Sequence, residues 1–128
     1  MRLLLDSHTL IWALDNPNRL SIQAVSALRD PANDVLVSAA SVWELAIKVG
    51  LGKLALSAPY RQWTAKALSD LDAVILPITV DYADAQSRLP NHHRDPFDRM
   101  LIAQSQVEGI SLVSNEPMFD RYGVSRIW

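Results

Sequence analysis

The chain contains no cysteine. That excludes a disulfide framework and thiolate metal ligands, so any metal it binds is held by oxygen or imidazole nitrogen. Long apolar runs are also missing. Leu3, Leu4 and Leu5 lead straight into Asp6, too short a run for the apolar region of a signal peptide and far short of the ~20 residues of a membrane span. Glycine is scarce, with four residues, and none lies near Asp6-Ser7-His8, so the first strand-to-helix turn lacks the fingerprint of a dinucleotide site. There is no Walker lysine motif. Positive charge is not in excess: 12 Lys and Arg against 14 Asp and Glu give a net charge of −2. A surface coated in positive potential for generic polyanion binding is excluded, whereas a local basic patch is not. No repeat, low-complexity tract or Gly/Ser linker divides the sequence, so one domain over residues 1–128 is expected, with the cytoplasm as default location.

What remains is an ordinary globular composition, 49% apolar and 20% charged, on a chain long enough to bury a core without staples. The apolar run at Leu3 to Leu5 ends on a lone carboxylate, and a helical period begins at once with Leu10, Ile11 and Leu14. This pattern predicts a buried strand feeding a helix over Thr9 to Leu14. Asn16-Pro17-Asn18 punctuates it, and Ser21 caps a second helix that ends ahead of Asp30-Pro31. Val35-Leu36-Val37 reads as a second buried strand. A helix follows from Ser41 (Val42, Leu45, Val49), and another from Ser57 to Leu71. Ala73 to Ile78 gives a third strand and Asp81 to Leu89 a helix. Asp95-Pro96 starts a helix closed by Gly109. Ile110 to Val113 makes a fourth strand, Pro117 to Tyr122 a short helix, and Val124 to Trp128 a final strand. Alternating strands and helices imply an α/β fold: a three-layer α/β/α sandwich on a mainly parallel sheet, with a helical insert between the second and third strands.

Five acids fall at helix starts or just after strands, and each has a plain structural reading. Asp6 reads as an N-cap. Ser41-Val42-Trp43-Glu44 reads as a capping box, with Glu44 reaching back to the Ser41 amide. Asp95 reads as a cap ahead of Pro96, and Asp98 as a first-turn acid favoured by the helix dipole. Glu116 follows the fourth strand through Ser114-Asn115. Taken together they leave something over. Asp6 and Glu116 lie on the carboxyl edge of a parallel sheet, the edge where ligands bind, and the helices at Ser41 and Asp95 are expected to start there too. Carboxylates crowded on one edge repel unless protonated or sharing a cation, and oxygen ligands suit a hard ion such as Mg²⁺ or Mn²⁺. Such an ion activates water and steadies a phosphoryl oxygen. His8 is expected near that edge, but one histidine beside a carboxylate does not make a zinc site. Arg88, His92, His93, Arg94 and Arg99 form the densest basic run, read either as a solvated loop or as a phosphate-contacting lip. Trp43, Trp63 and Trp128 are expected in the core or at an oligomer contact. An aspartyl-phosphate phosphatase would need a second early aspartate. A receiver domain would need paired early acids and a late strand lysine. Neither pattern is present.

These residues resemble the PIN-domain ribonucleases, and among them the VapC-like toxins of type II toxin–antitoxin pairs. The resemblance rests on Leu4-Leu5-Asp6-Ser7-His8, on Val37-Ser38-Ala39-Ala40-Ser41-Val42-Trp43-Glu44, on the ending Phe119 to Trp128, and above all on His92-His93-Arg94-Asp95-Pro96-Phe97-Asp98-Arg99 with Leu101-Ile102-Ala103-Gln104. It spans nearly the whole chain and implies a PIN-like fold with the activity of a metal-dependent endoribonuclease. RNA would be hydrolysed by metal-activated water to leave a 5′-phosphate, with Mg²⁺ or Mn²⁺ on an acidic cluster. The resemblance further implies self-association, a homodimer or larger, and inhibition by a cognate antitoxin protein. Carried over by position, Asp6, Glu44 and Asp98 are the catalytic and metal-binding acids, with Asp95 and Glu116 as additional ligands. Arg94, Arg99 and His93 are assigned to the RNA phosphate. At the fourth acid the chain departs from the family's Thr-any-Asp pattern with Ser114-Asn115-Glu116, which implies an intact first metal site and a weakened second one. The alternative expectation is a catalytically weak PIN-like module that binds RNA or a protein without cutting.

Overall fold

The computed structural model describes all 128 residues. At its centre is β1 (Arg2–Leu5), whose Leu3, Leu4 and Leu5 are wholly buried. Successive side chains of a strand point to opposite faces, so Leu3 and Leu5 enter one core and Leu4 the other. A strand covered on both faces is therefore apolar without alternation. α1 (Ser7–Asp15) follows after one residue, and a 3₁₀ turn leads to α2 (Ile22–Arg29), capped by Ser21 as the sequence predicts. β2 (Asp34–Ser38) runs directly into α3 (Ala39–Gly50), and α4 (Tyr60–Asp70) precedes β3 (Val74–Leu76). α5 (Val80–Ser87), α6 (Pro96–Glu108), β4 (Ser111–Val113), a 3₁₀ helix (Pro117–Tyr122) and β5 (Arg126–Ile127) complete the chain.

All five strands are parallel, in the order β3-β2-β1-β4-β5. Helices cover both faces, giving the expected three layers with α3 and α4 as the insert. One core packs Leu3, Leu5, Val35 and Val37 against Leu10, Leu45 and Trp63. The other packs Leu4 and Leu112 against Leu101, Ile102 and Phe119. The chain reverses its direction of winding between β1 and β4. Ligands of open α/β sheets bind in the crevice at such a switch point, outside the carboxyl ends of the strands.

Several boundaries differ from the expected ones for physical reasons. α3 begins at Ala39, because Ser38 ends β2 and caps the helix by accepting from the Ala40 amide at 3.0 Å. Ser41 therefore lies inside the helix, and the capping box of Ser41 and Glu44 does not form. α4 begins at Tyr60, since Ser57 is drawn to Asp15, donating its amide at 3.0 Å and its hydroxyl at 2.5 Å. Burial raises the Asp15 pKa, but the hydrogen bonds from Ser57 and Trp63 outweigh it and leave the carboxyl below its usual range. The final strand is only Arg126–Ile127. α6 matches its expected caps: Asp95 accepts from the Phe97 amide, Pro96 opens the helix, and Gly109 closes it at φ 65°.

Candidate functional site

The switch point puts Asp6 at the end of the central strand, and neighbouring groups fix it. It caps α1 by accepting from the Thr9 amide at 2.7 Å, and its other oxygen accepts from the Ser114 hydroxyl across the gap to β4. The Thr9 hydroxyl donates to the Val113 carbonyl at 2.9 Å, tying the start of α1 to the end of β4. The capping and edge readings of Asp6 are therefore both correct. Its side chain is ordered by the helix start while facing the crevice.

Glu44 comes from the middle of α3 and is buried, 5% exposed. The Ser7 hydroxyl donates to its Oε1 at 2.7 Å, and Lys48 pairs with its Oε2 at 2.9 Å. Asp98 lies in the first turn of α6 and accepts from, or shares a proton with, Nε2 of His93 at 2.8 Å. Burial, reinforced by the negative charges of Asp95 and Glu44, pushes the Asp98 pKa up to about 6, against the pull of His93. The field of Glu44 thus reaches Asp98. Ligand atoms of His93, Asp95 and Asp98 lie within 4.8 Å of one another.

A cleft of about 200 Å³ joins these elements, lined by Asp6, His8, Trp12, Asp98, Asn115 and Glu116, with Phe119 at its floor. Glu116 is exposed, and its carboxylate caps the following 3₁₀ helix by accepting from the Met118 amide at 3.0 Å. The structure thus brings Asp6, Asp98 and Glu116 to one cleft, with Glu44 acting on Asp98 from beside it and Asp95 joined to Asp98 through the His93 cluster. His8 lines the cleft at the edge where it was expected, whereas Trp12 had no signal in the sequence beyond its spacing of four residues from His8, which puts the two on one helix face.

The basic residues divide. Arg94 is exposed and free of ion pairs. Arg99 is not available to a phosphate. Its guanidinium donates to the carbonyls of Gln86, Leu89, Pro90 and His93 and meets the Tyr122 hydroxyl. Its phosphate assignment is corrected to a clamp on the loop before α6. His93 faces Asp98 rather than open solvent.

The donor set suits a hard divalent ion. Two carboxylates are almost wholly buried and a third is destabilised as an anion, while Lys48 is the one permanent cation paired with them, His93 adding charge beside Asp98 only when protonated. Such a surplus of buried negative charge is relieved by a cation bound through oxygen.

The PIN-domain family model matches residues 3–124. The chain belongs to the PIN-domain family. Ribonuclease VapC22 of Mycobacterium tuberculosis is 32% identical over 114 residues, which cover 88% of this chain and 85% of the relative. VapBC-1 from nontypeable Haemophilus influenzae superposes with a TM-score of 0.71 at 14% identity, covering 98% of this chain and 96% of that one. DNA-bound VapBC from Salmonella typhimurium gives 0.70 at 17% identity, with coverage of 98% and 96%. The chain is thus a VapC-like PIN domain, and the α/β/α arrangement expected from its sequence is the PIN fold.

Proposed function

We propose that this PIN domain is a metal-dependent endoribonuclease, the toxin component of a toxin–antitoxin pair. The observation that carries the reading is the convergence of Asp6, Glu44 and Asp98 at the switch point of the sheet, two of them buried and the third pushed toward protonation. Asp6, Asp98 and Glu44 would hold Mg²⁺ or Mn²⁺, with Asp95 and Glu116 as additional oxygen donors. Bound there, the ion would supply Lewis acidity at a phosphodiester oxygen and make water a competent nucleophile near neutral pH.

The chain's own residues do the remaining work. Thr9 and Ser114 fix both oxygens of Asp6, so that carboxylate needs no reorganisation. Ser7 and Lys48 do the same for Glu44. His93 holds Asp98, and Arg94 contacts a phosphate of the RNA backbone. The similarity to a VapC ribonuclease and to VapBC assemblies supports a cognate antitoxin as partner. Trp43 and Ile47 on α3, with Leu51 just past its end, recur every fourth residue and are exposed, an apolar stripe that supports a homodimer or larger self-assembly.

The test is cleavage of a panel of structured and single-stranded RNAs with Mn²⁺, with and without chelator. New internal ends are expected with the metal and none with chelator. Cleavage that persists in chelator, or no cleavage of any RNA with metal present, contradicts the reading.

A further inference from the structure

Beside the acids, the cleft carries a second feature that metal binding does not use. His8 and Trp12, four residues apart on α1, both line the cleft that contains Asp6 and Asp98. Their ring centroids are 5.6 Å apart and tilted by 37°. Trp12 in turn meets Trp128, at the end of the sheet, with centroids 5.9 Å apart. The Arg19 guanidinium lies over the Trp12 ring at 4.4 Å from its centroid. The aromatic line thus starts within the acidic cleft and ends at an exposed cation, and it draws on α1, the 3₁₀ turn after it, and the C-terminal residue.

A face built only for packing would be buried. Here the His8 ring is exposed and Trp12 is half-buried, while the wholly buried neighbours Thr9 and Leu10 point the other way. An imidazole backed by an indole offers a π-face in a cleft also lined by Asp6, Asp98 and Glu116, and a nucleobase is the part of an RNA that takes such a face. Aromatic platforms bind unpaired bases without needing a particular sequence, and a base inside a duplex cannot reach them. Arg19, held over the Trp12 ring, is the cation next to this face, and a strand whose base stacks there carries phosphates that take a positive partner.

We infer that His8 and Trp12 form a base-stacking subsite for one unpaired nucleotide of the RNA next to the scissile phosphate, with Arg19 contacting the backbone beyond it. The inference rests on the nuclease reading for the position of the scissile phosphate. Its consequence is a preference for single-stranded segments and loops over continuous duplex.

The test is a binding measurement that does not depend on cleavage. A fluorescein-labelled six-nucleotide single-stranded RNA, and the same ribose-phosphate chain without bases, are titrated by anisotropy at low salt. The full-length protein carries Asp98→Asn to suppress hydrolysis. The intact RNA should bind more tightly than the abasic chain. Adding His8→Ala, an exposed change that leaves the core untouched, should weaken the intact RNA roughly tenfold and leave the abasic chain unchanged. Trp12→Leu should do the same and Trp12→Phe should largely restore binding, which a loss of folding would not. Equal affinity for the two RNAs, no binding of either, or variants that bind the intact RNA like their parent overturn the inference. If wild-type protein cuts RNA while these differences are absent, only the subsite fails. If they are present while wild-type protein cuts nothing, only the nuclease reading fails.

Discussion

Burial and the charges of Asp95 and Glu44 keep Asp98 protonated up to about pH 6, and this has a definite sign for stability. Its folded pKa lies above the unfolded value of 3.8, so the metal-free fold carries no penalty from Asp98 below that value. The fold loses stability as the pH rises through about 6, by up to about 3 kcal/mol once Asp98 is fully ionised. Asp98→Asn should therefore stabilise the metal-free protein at pH 8 while changing little at pH 4. Parallel urea titrations at the two values check this, and an equal effect at both would contradict it. Glu116 makes a second prediction at this scale. Its side chain caps the 3₁₀ helix, and aspartate caps at least as well, so Glu116→Asp isolates the effect of one methylene on the cleft. The Mn²⁺ concentration for half-maximal cleavage should fall several-fold. An unchanged titration would mean that the departure at Ser114-Asn115-Glu116 does not weaken a second ion.

At the scale of elements, what could be read in advance depended on whether a signal was local. Asp95-Pro96 and Gly109 bracket α6 as expected, because cap chemistry acts within a turn. The start of α3 was ambiguous, since Ser38 and Ser41 both have cap chemistry. Only the end of the β2 ladder at Ser38 decides between them. That difference matters, because it frees Glu44 from capping and leaves it to Ser7 and Lys48. Arg99 was illegible for the opposite reason. Its carbonyl partners lie up to 13 residues away, and in sequence it is one more cation in a basic run. Lysine cannot reproduce the fork of a guanidinium, so Arg99→Lys should lower stability by about 2 kcal/mol through several lost hydrogen bonds to carbonyls. The unfolding midpoint in urea checks it, and a shift below about 0.5 kcal/mol would show that the clamp carries little.

For the whole molecule, winding order explains why distant acids meet. Asp6 and Glu116 are 110 residues apart in sequence but follow adjacent strands, β1 and β4, at the place where the sheet reverses. The edge they share was legible once the sheet was read as parallel. The pairing of β1 with β4, and with it the cleft, was not, because strand order is set by long-range packing of the two cores. The exposed stripe on α3 belongs to this scale too. Ile47→Glu should convert a self-associated species into a monomer without lowering the melting temperature of the monomer, as read by sedimentation velocity at matched concentrations. An unchanged sedimentation coefficient would place any interface elsewhere.

If Asp6, Glu44 and Asp98 together hold the divalent ion, removing one of these ligands must weaken its binding. Titration of Mn²⁺ followed by electron paramagnetic resonance, on wild-type protein and on Asp6→Asn, tests it most directly. Asparagine retains an oxygen to cap α1, so the fold should persist. Saturable binding to the wild type is expected, with an affinity at least about tenfold weaker in Asp6→Asn, in line with the loss of a ligand. Equal Mn²⁺ affinity in the two folded proteins would contradict it.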